Sequence, residues 1–326
     1  MKLPYIDMHC DTLTDWLTRG EMRDLGTLPD KMVDLDRLAA SGAMCQFFAI
    51  HFKPRAAGLR WPSDEEMFRG SRELLRSSAE RNRDRFALAH QYDELQANYR
   101  TGRVSGILTF EDSRILDGDL DKIRFYHDQD VRCMGLVWNA GPYTASNCLG
   151  SPNVPGKTEE GLTPFGRDAV REMQRVGVLV DVSHLSDGGF WDVVDLAEKP
   201  FVASHSSCRA VCDRLRNLTD EMIRALADKG GVSGVNFCPD FIASREATSC
   251  TVEQIAAHAL HFVRVGGEDC VAIGTDFDGT EGTPEIDEPT KMERLYRELE
   301  HRGVTPRQLD KLFSGNVLRV IREAMQ

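Results

Sequence analysis

His9-Cys10-Asp11 sets an imidazole and a carboxylate two residues apart at the end of a short apolar run. On a β-strand, residues i and i+2 project to the same side, so both groups can reach one cation. Two further apolar runs end on a histidine, in Asp181-Val182-Ser183-His184 and Ala203-Ser204-His205-Ser206. Another, GILTFE, ends on Glu111, and CVAIGTDFDG carries Asp276 and Asp278 just past its apolar part. Singly, each has a plain structural reading: a buried histidine paired with an acid, or a polar residue capping a strand. Jointly they form a ligand set. Neutral imidazoles with carboxylates and no thiolate suit zinc, with manganese, cobalt or iron as substitutes. Three histidines, one aspartate and one glutamate exceed the needs of a single tetrahedral ion but fit two ions that share a carboxylate. Such a pair, about 3.5–4 Å apart, brings the pKa of a shared water toward about 7 and polarises a carbonyl. The chemistry is hydrolysis.

Residues so far apart in sequence can meet only if the runs that bear them end at one face. Strand candidates cover 5–11, 43–52, 105–111, 131–139, 178–184, 201–206, 232–237 and 271–276. They are rich in β-branched or aromatic residues and too short for helices. VGVLVDVSH is apolar on both faces, as a strand buried in a parallel sheet should be. Between the runs lie helix signals: Thr163 as cap with Pro164 at the first position and Gly177 at the end, Thr219 before Asp220 and Glu221 with Gly230 behind, and Thr305 with Pro306. This alternation predicts an α/β fold, a (β/α)8 TIM-type barrel spanning 1–326 as a single domain, with a doubly wound open sheet as the rival. In such a barrel the C-terminal strand ends share one site. The polar stretch 148–160 is expected on its rim.

The chain has 326 residues and a formal charge of −12, which disfavours non-specific binding to nucleic acid or anionic lipid, both polyanions. No run of eighteen or more apolar residues indicates a membrane span, and the N-terminal residues do not read as a signal peptide. Nine scattered cysteines, odd in number and without CxxC spacing, favour reduced thiols. The expected location is the cytoplasm.

Read in order, DMHCDT, TFED, VDVSHLSD, ASHSSCRAVCDRLRNLTD, VNF, IGTDFDG and FSGNVLRVI resemble the membrane dipeptidase (renal dipeptidase) family of the amidohydrolase superfamily over essentially the whole chain. The resemblance implies a (β/α)8 barrel with two zinc ions per chain, often homodimeric, that hydrolyses dipeptides and tolerates a D-residue at the C-terminal position. Carried over residue by residue, it implies that His9 and Asp11 bind one zinc, His184 and His205 the other, and that Glu111 bridges them. It implies that Arg216 grips the substrate's terminal carboxylate, a task suited to a guanidinium fork; read from its residues alone, Arg216 is a surface salt bridge. Asp276, with Asp278 as the alternative, matches the aspartate that moves a proton from water to the leaving nitrogen or holds the substrate amine.

Two positions depart from the family pattern. Trp138 stands where better-known members carry a histidine that supports the oxyanion; it is expected to line the substrate pocket, and its indole donates a hydrogen bond but carries no proton. Asp112 and Ser113 replace the usual glycines after Glu111. Trp138 keeps open a second enzyme reading, an amidohydrolase acting on an N-acyl amino acid, a lactam or another small amide. A third reading is a non-catalytic metal-binding barrel.

Overall fold

The computed structural model describes residues 4–14, 23–52, 62–138 and 146–325. Its strands are β1 (Tyr5–Cys10), β2 (Ala43–Ile50), β3 (Phe86–Leu88), β4 (Val104–Phe110), β5 (Val131–Gly135) and β6 (Leu179–Asp181). They are followed by β7 (Val202–Ala203), β8 (Val232–Val235), β9 (Ser249–Cys250), β10 (Val271–Ile273) and β11 (Thr283–Pro284). The main sheet runs β2-β1-β10-β8-β7-β6-β5-β4, and pairing of β2 with β4 closes it into a parallel barrel of eight strands. All eight anticipated strands are therefore present, most of them shorter than expected. The residue Asn139 of the anticipated 131–139 strand falls outside the described residues. β3, absent from the sequence reading, lies beside the start of β4, with Phe86 opposite Val104. β9 and β11 form a separate short parallel pair.

Strand residues are buried on both faces, and alternate side chains go to different places. Tyr5, Phe48, Leu108, Val180 and Val271 join a large cluster with the surrounding helices. Their neighbours Ile6, Phe47, Ile107, Leu179 and Ala272 join a second cluster, which continues into Val317, Val320 and Ile321 of the C-terminal helix Asn316–Ala324. That helix plugs the lower end of the barrel, and Asn316 fastens it by donating to the carbonyls of Val271 and Glu268, each at 2.8 Å. The apolar filling below leaves the polar strand ends to the upper mouth.

Helix boundaries follow the local signals. Thr163 Oγ1 accepts from Gly166 N, and Gly177 closes the helix Pro164–Val176 in the left-handed conformation. Thr219 caps Asp220–Asp228 in the same way. Thr305 and Gln308 form a reciprocal capping box, satisfying two orphan amides of Pro306–Asp310. No described helix is long and apolar enough to cross a membrane. All nine cysteines are unbridged.

Two glycines let the strands close around the site. A Cβ on Gly274 would lie 1.9 Å from the Ser204 carbonyl oxygen, and one on Gly234 2.1 Å from the same atom. Because the obstacle is backbone, the barrel wall itself would have to move. Gly274→Ala is expected to cost about 1–3 kcal/mol of stability by overpacking, read as a lower urea midpoint at unchanged slope.

Candidate active site

Parallel register brings the strand ends to one level. Asp7 on β1 pairs with Ile273 on β10, Ile50 on β2 with Phe110 on β4, and Asp181 on β6 with Val202 on β7. The next residues along these strands are those the sequence singled out, and the structure gathers His9, Asp11, Glu111, His184, His205 and Asp276 at the mouth. His9 Nε2 lies 3.4 Å from Asp11 Oδ2, 3.8 Å from Asp276 Oδ1 and 3.9 Å from Glu111 Oε1. His184 Nε2 lies 3.2 Å from the same Glu111 oxygen and 2.9 Å from His205 Nε2. Three trios have ligand atoms close enough to share an ion: His9–Asp11–Glu111, Glu111–His184–His205 and His9–His205–Asp276. Glu111 belongs to two of them. Asp276, assigned from sequence to proton transfer, also stands within reach of an ion.

The electrostatics express one demand. Burial would make His9 less basic, but Asp11, Glu111 and Asp276 override it and push its pKa up to about 10. Burial, reinforced by Arg216 and His9, holds His184 and His205 well below the usual imidazole range, so both are neutral bases. Burial and then Asp11 raise the Glu111 carboxyl well above its ordinary value. Asp276 is raised to about 6, chiefly by burial. Three acids out of water call for positive charge, and neutral imidazoles beside them offer lone pairs. Divalent cations satisfy both. Among the described residues, His9 Nε2 and Glu111 Oε2 are buried without a hydrogen-bond partner, so the donor set fits metal.

Two buried aspartates below the mouth fix these groups. Asp7 accepts from Thr275 N at 2.9 Å and Thr275 Oγ1 at 2.6 Å, and from His9 N at 3.3 Å. It thereby ties the residue before Asp276 to the strand end that bears His9. Asp181 does the same between β6 and β7, accepting from Ser183 N and Ser204 N, each at 2.9 Å, and from Ser204 Oγ. Since Ser204 Oγ donates to Asp181, it accepts from His205 Nδ1, 2.7 Å away. His205 then keeps its proton on Nδ1 and presents a bare Nε2 to the site. His184 and Asp276 both have positive φ, 69° and 63°, a left-handed backbone unusual outside glycine and concentrated at functional sites.

Arg216 is not the surface ion pair its residues alone suggested. It is buried, with Nη1 donating to Ser206 Oγ at 2.6 Å and Nη2 to the His205 carbonyl at 3.0 Å, and its Nε has no hydrogen-bond partner among the described residues. Trp138 packs near the ligands, its ring centroid 4.0 Å from that of His51 and 6.2 Å from that of His184. Asp278 serves the scaffold instead: it accepts from Thr12 Oγ1 at 2.6 Å and from Met32 N at 2.7 Å. Asp112 and Ser113 brace the Glu111 strand end. Ser113 Oγ donates to the Gly135 carbonyl at 2.7 Å, and Asp112 accepts from Asn147 Nδ2 at 3.0 Å. The 148–160 stretch crosses the rim as expected, with Asn153 N donating to the His184 carbonyl at 2.8 Å and Pro152 bridging to Leu185.

His51 and Asn236 were missed by the sequence reading. Asn236 Nδ2 donates to Asp276 Oδ2 at 2.9 Å and to the His205 carbonyl at 3.1 Å. His51 follows β2, with its Nδ1 3.7 Å from Glu111 Oε2. The available signal was the one used for the others, a polar residue ending a buried apolar run.

Comparison with known proteins identifies the family and the fold. Residues 1–326 match the family described as Membrane dipeptidase (Peptidase family M19). A solved dipeptidase, a metallopeptidase of family M19, superposes with a TM-score of 0.89 at 28% identity, covering 100% of this chain and 99% of its own. A metallopeptidase from Rhodobacter sphaeroides, solved with a phosphinate mimic of the dipeptide L-Ala-D-Ala, gives 0.88 at 27% identity, covering 99% and 100%. Dipeptidase tcpJ of Claviceps purpurea is 28% identical over 299 residues, 89% of this chain and 69% of that protein.

Gly279 sets the spacing of two acids. A Cβ there would lie 2.0 Å from Asp11 Oδ2 and 2.7 Å from Asp276 Oδ1. The atoms that must yield are carboxylate oxygens rather than backbone, so the fold can absorb the methyl by displacing them. Gly279→Ala is expected to keep its circular dichroism and thermal midpoint but to hold metal roughly 10–100-fold more weakly in chelator competition, the usual scale for disturbed ligand orientation.

Proposed function

Because the chain belongs to the membrane dipeptidase family of metallopeptidases, we propose that it hydrolyses the peptide bond of a dipeptide, with two zinc ions held at the barrel mouth. His9 and Asp11 would hold one ion and His184 and His205 the other, with Glu111, which belongs to both trios, available to each. The observation that carries this reading is the convergence of two ligand trios on Glu111. When bound, such a pair of ions acidifies a water and polarises the carbonyl.

The remaining steps belong to the chain's own side chains. Asp276 Oδ2 is tied down by Asn236, which leaves Oδ1 to take a proton from the attacking water and pass it to the departing nitrogen. Burial holds its pKa at about 6, near the range where an acid can both accept and return a proton. Arg216 offers its Nε hydrogen to the free carboxylate of the substrate. A buried guanidinium with an unused donor is costly unless an anion completes it. The Rhodobacter sphaeroides relative with its L-Ala-D-Ala mimic supports a small dipeptide, with a D-residue accepted at the C-terminal position. Trp138 favours a second reading, in which the substrate is an N-acyl amino acid or another small amide.

A panel of L,L- and L,D-dipeptides set against N-acyl amino acids separates the two; turnover of the acylated compounds alone would overturn the dipeptidase reading. Two zinc ions per chain are expected by plasma emission spectrometry, and a protein that retains one or none after zinc supplementation would overturn the two-metal assignment. Asp276→Asn is expected to lower kcat about 10²–10⁴-fold, the usual share of positioned proton transfer. Metal analysis of the same variant separates proton transfer from ligation: unchanged zinc supports the former. Arg216→Ala is expected to raise KM about 10–100-fold, as loss of a charged hydrogen bond does. An unchanged KM for substrates with a free carboxylate would remove Arg216 from the pocket.

A further inference from the structure

His51 is a buried imidazole at the mouth that none of the three metal-ligand trios includes. It directly follows β2, and the Glu111 amide donates to the carbonyl of Ile50, its predecessor, at 3.1 Å. His51 and Glu111 are thus neighbours on adjacent strand ends. His51 Nδ1 lies 3.7 Å from Glu111 Oε2, longer than a hydrogen bond, so imidazole and carboxylate adjoin at ion-pair range. On its other side stands Trp138, ring centroids 4.0 Å apart and planes inclined by 50°. Trp138 also reaches His184 at 6.2 Å. His51 therefore sits beside Glu111, on the strand end that lies between those of His9 and Glu111, with an indole packed against it. An imidazole can donate from either nitrogen and can change protonation state, whereas the indole beside it can only donate.

We propose that His51 is a catalytic residue, the imidazole that donates a hydrogen bond to the scissile carbonyl oxygen as negative charge gathers there, and that Trp138 positions its ring. The assignment rests on the dipeptidase reading of the site. It reassigns the supporting donor: the strand end after β5, where sequence comparison looked for a histidine, supplies the wall, and the end of β2 supplies the imidazole. A donor aimed at developing charge contributes more to the transition state than to substrate binding. The predicted signature is therefore in kcat and not in KM.

The experiment compares wild type, His51→Phe and His51→Gln on L-Ala-D-Ala, with zinc content measured for each and a phosphinate mimic of L-Ala-D-Ala as inhibitor. Phe keeps the ring packed on Trp138 but removes the donor; Gln restores an N–H. His51→Phe is expected to lose about 10²–10³ in kcat, the scale for one oxyanion donor. Its KM should stay within about threefold and its zinc content unchanged, while the phosphinate, which mimics the tetrahedral species, binds correspondingly more weakly. His51→Gln should recover at least about tenfold of the lost kcat. Wild-type kcat in His51→Phe, a rise in KM alone, or loss of zinc in step with activity would each overturn the assignment. If wild type turns over no dipeptide, the substrate reading fails and this role falls with it; an active wild type with an indifferent His51→Phe sinks the role of His51 alone.

Discussion

Three carboxylates and three imidazoles are held nearly out of water within a few ångströms of one another, and the upper half of the barrel is organised around that confinement. Isolated buried carboxylates cost several kcal/mol each unless positive charge lies close by. Here His9 alone faces Asp11, Glu111 and Asp276, which is why its basicity rises so far. His184 and His205 go the other way and stay neutral. The opposing shifts follow from geometry: carboxylates crowd His9 closely enough to override its burial, whereas at His184 and His205 burial prevails, reinforced by Arg216 and neighbouring imidazoles. A cluster of this kind is poised to exchange protons for cations.

Holding such a cluster together needs rigid support, and the support is repeated. Asp7 and Asp181 each sit below the mouth, accept the amide and hydroxyl of the residue preceding a site residue on the next strand, and secure the start of their own loop. Both brackets link strands that pair in parallel, β1 with β10 and β6 with β7. The close glycines do the complementary work. Gly274 and Gly234 let β10 and β8 approach the Ser204 carbonyl, so the strand carrying His205 is gripped from both directions. Rigidity of this order suits a site whose ligands must keep their spacing to sub-ångström precision.

Some of what the sequence reading missed had no local signature. β3 is three residues long and attaches outside the closed barrel; its sequence, FAL, is too short to show a period. Asn236 and His51 lie at strand ends like the anticipated ligands, yet nothing nearby distinguishes their tasks. Arg216 read as a surface residue because its neighbours, Asp213, Arg214 and Asn217, are polar. It is buried because the segment folds back and its guanidinium meets Ser206 and the His205 carbonyl.

Closure into a barrel rather than an open sheet came from the pairing of β2 with β4, while the chain's own pattern determined the alternation of strands and helices, the order of the chemistry-bearing residues along it and their types. These are local properties: an apolar run long enough for a strand, buried on both faces, ending in a group that can hold a cation. The choice between Asp276 and Asp278 was decided only in three dimensions. On an extended strand, residues two apart share a side, but both backbones here turn into the left-handed region, so one carboxylate faces His9 and the other is drawn to Thr12 and Met32. The pairing of His51 with Glu111 and Trp138 was likewise decided by closure of β2 on β4, a contact between segments sixty residues apart that only the closed barrel creates.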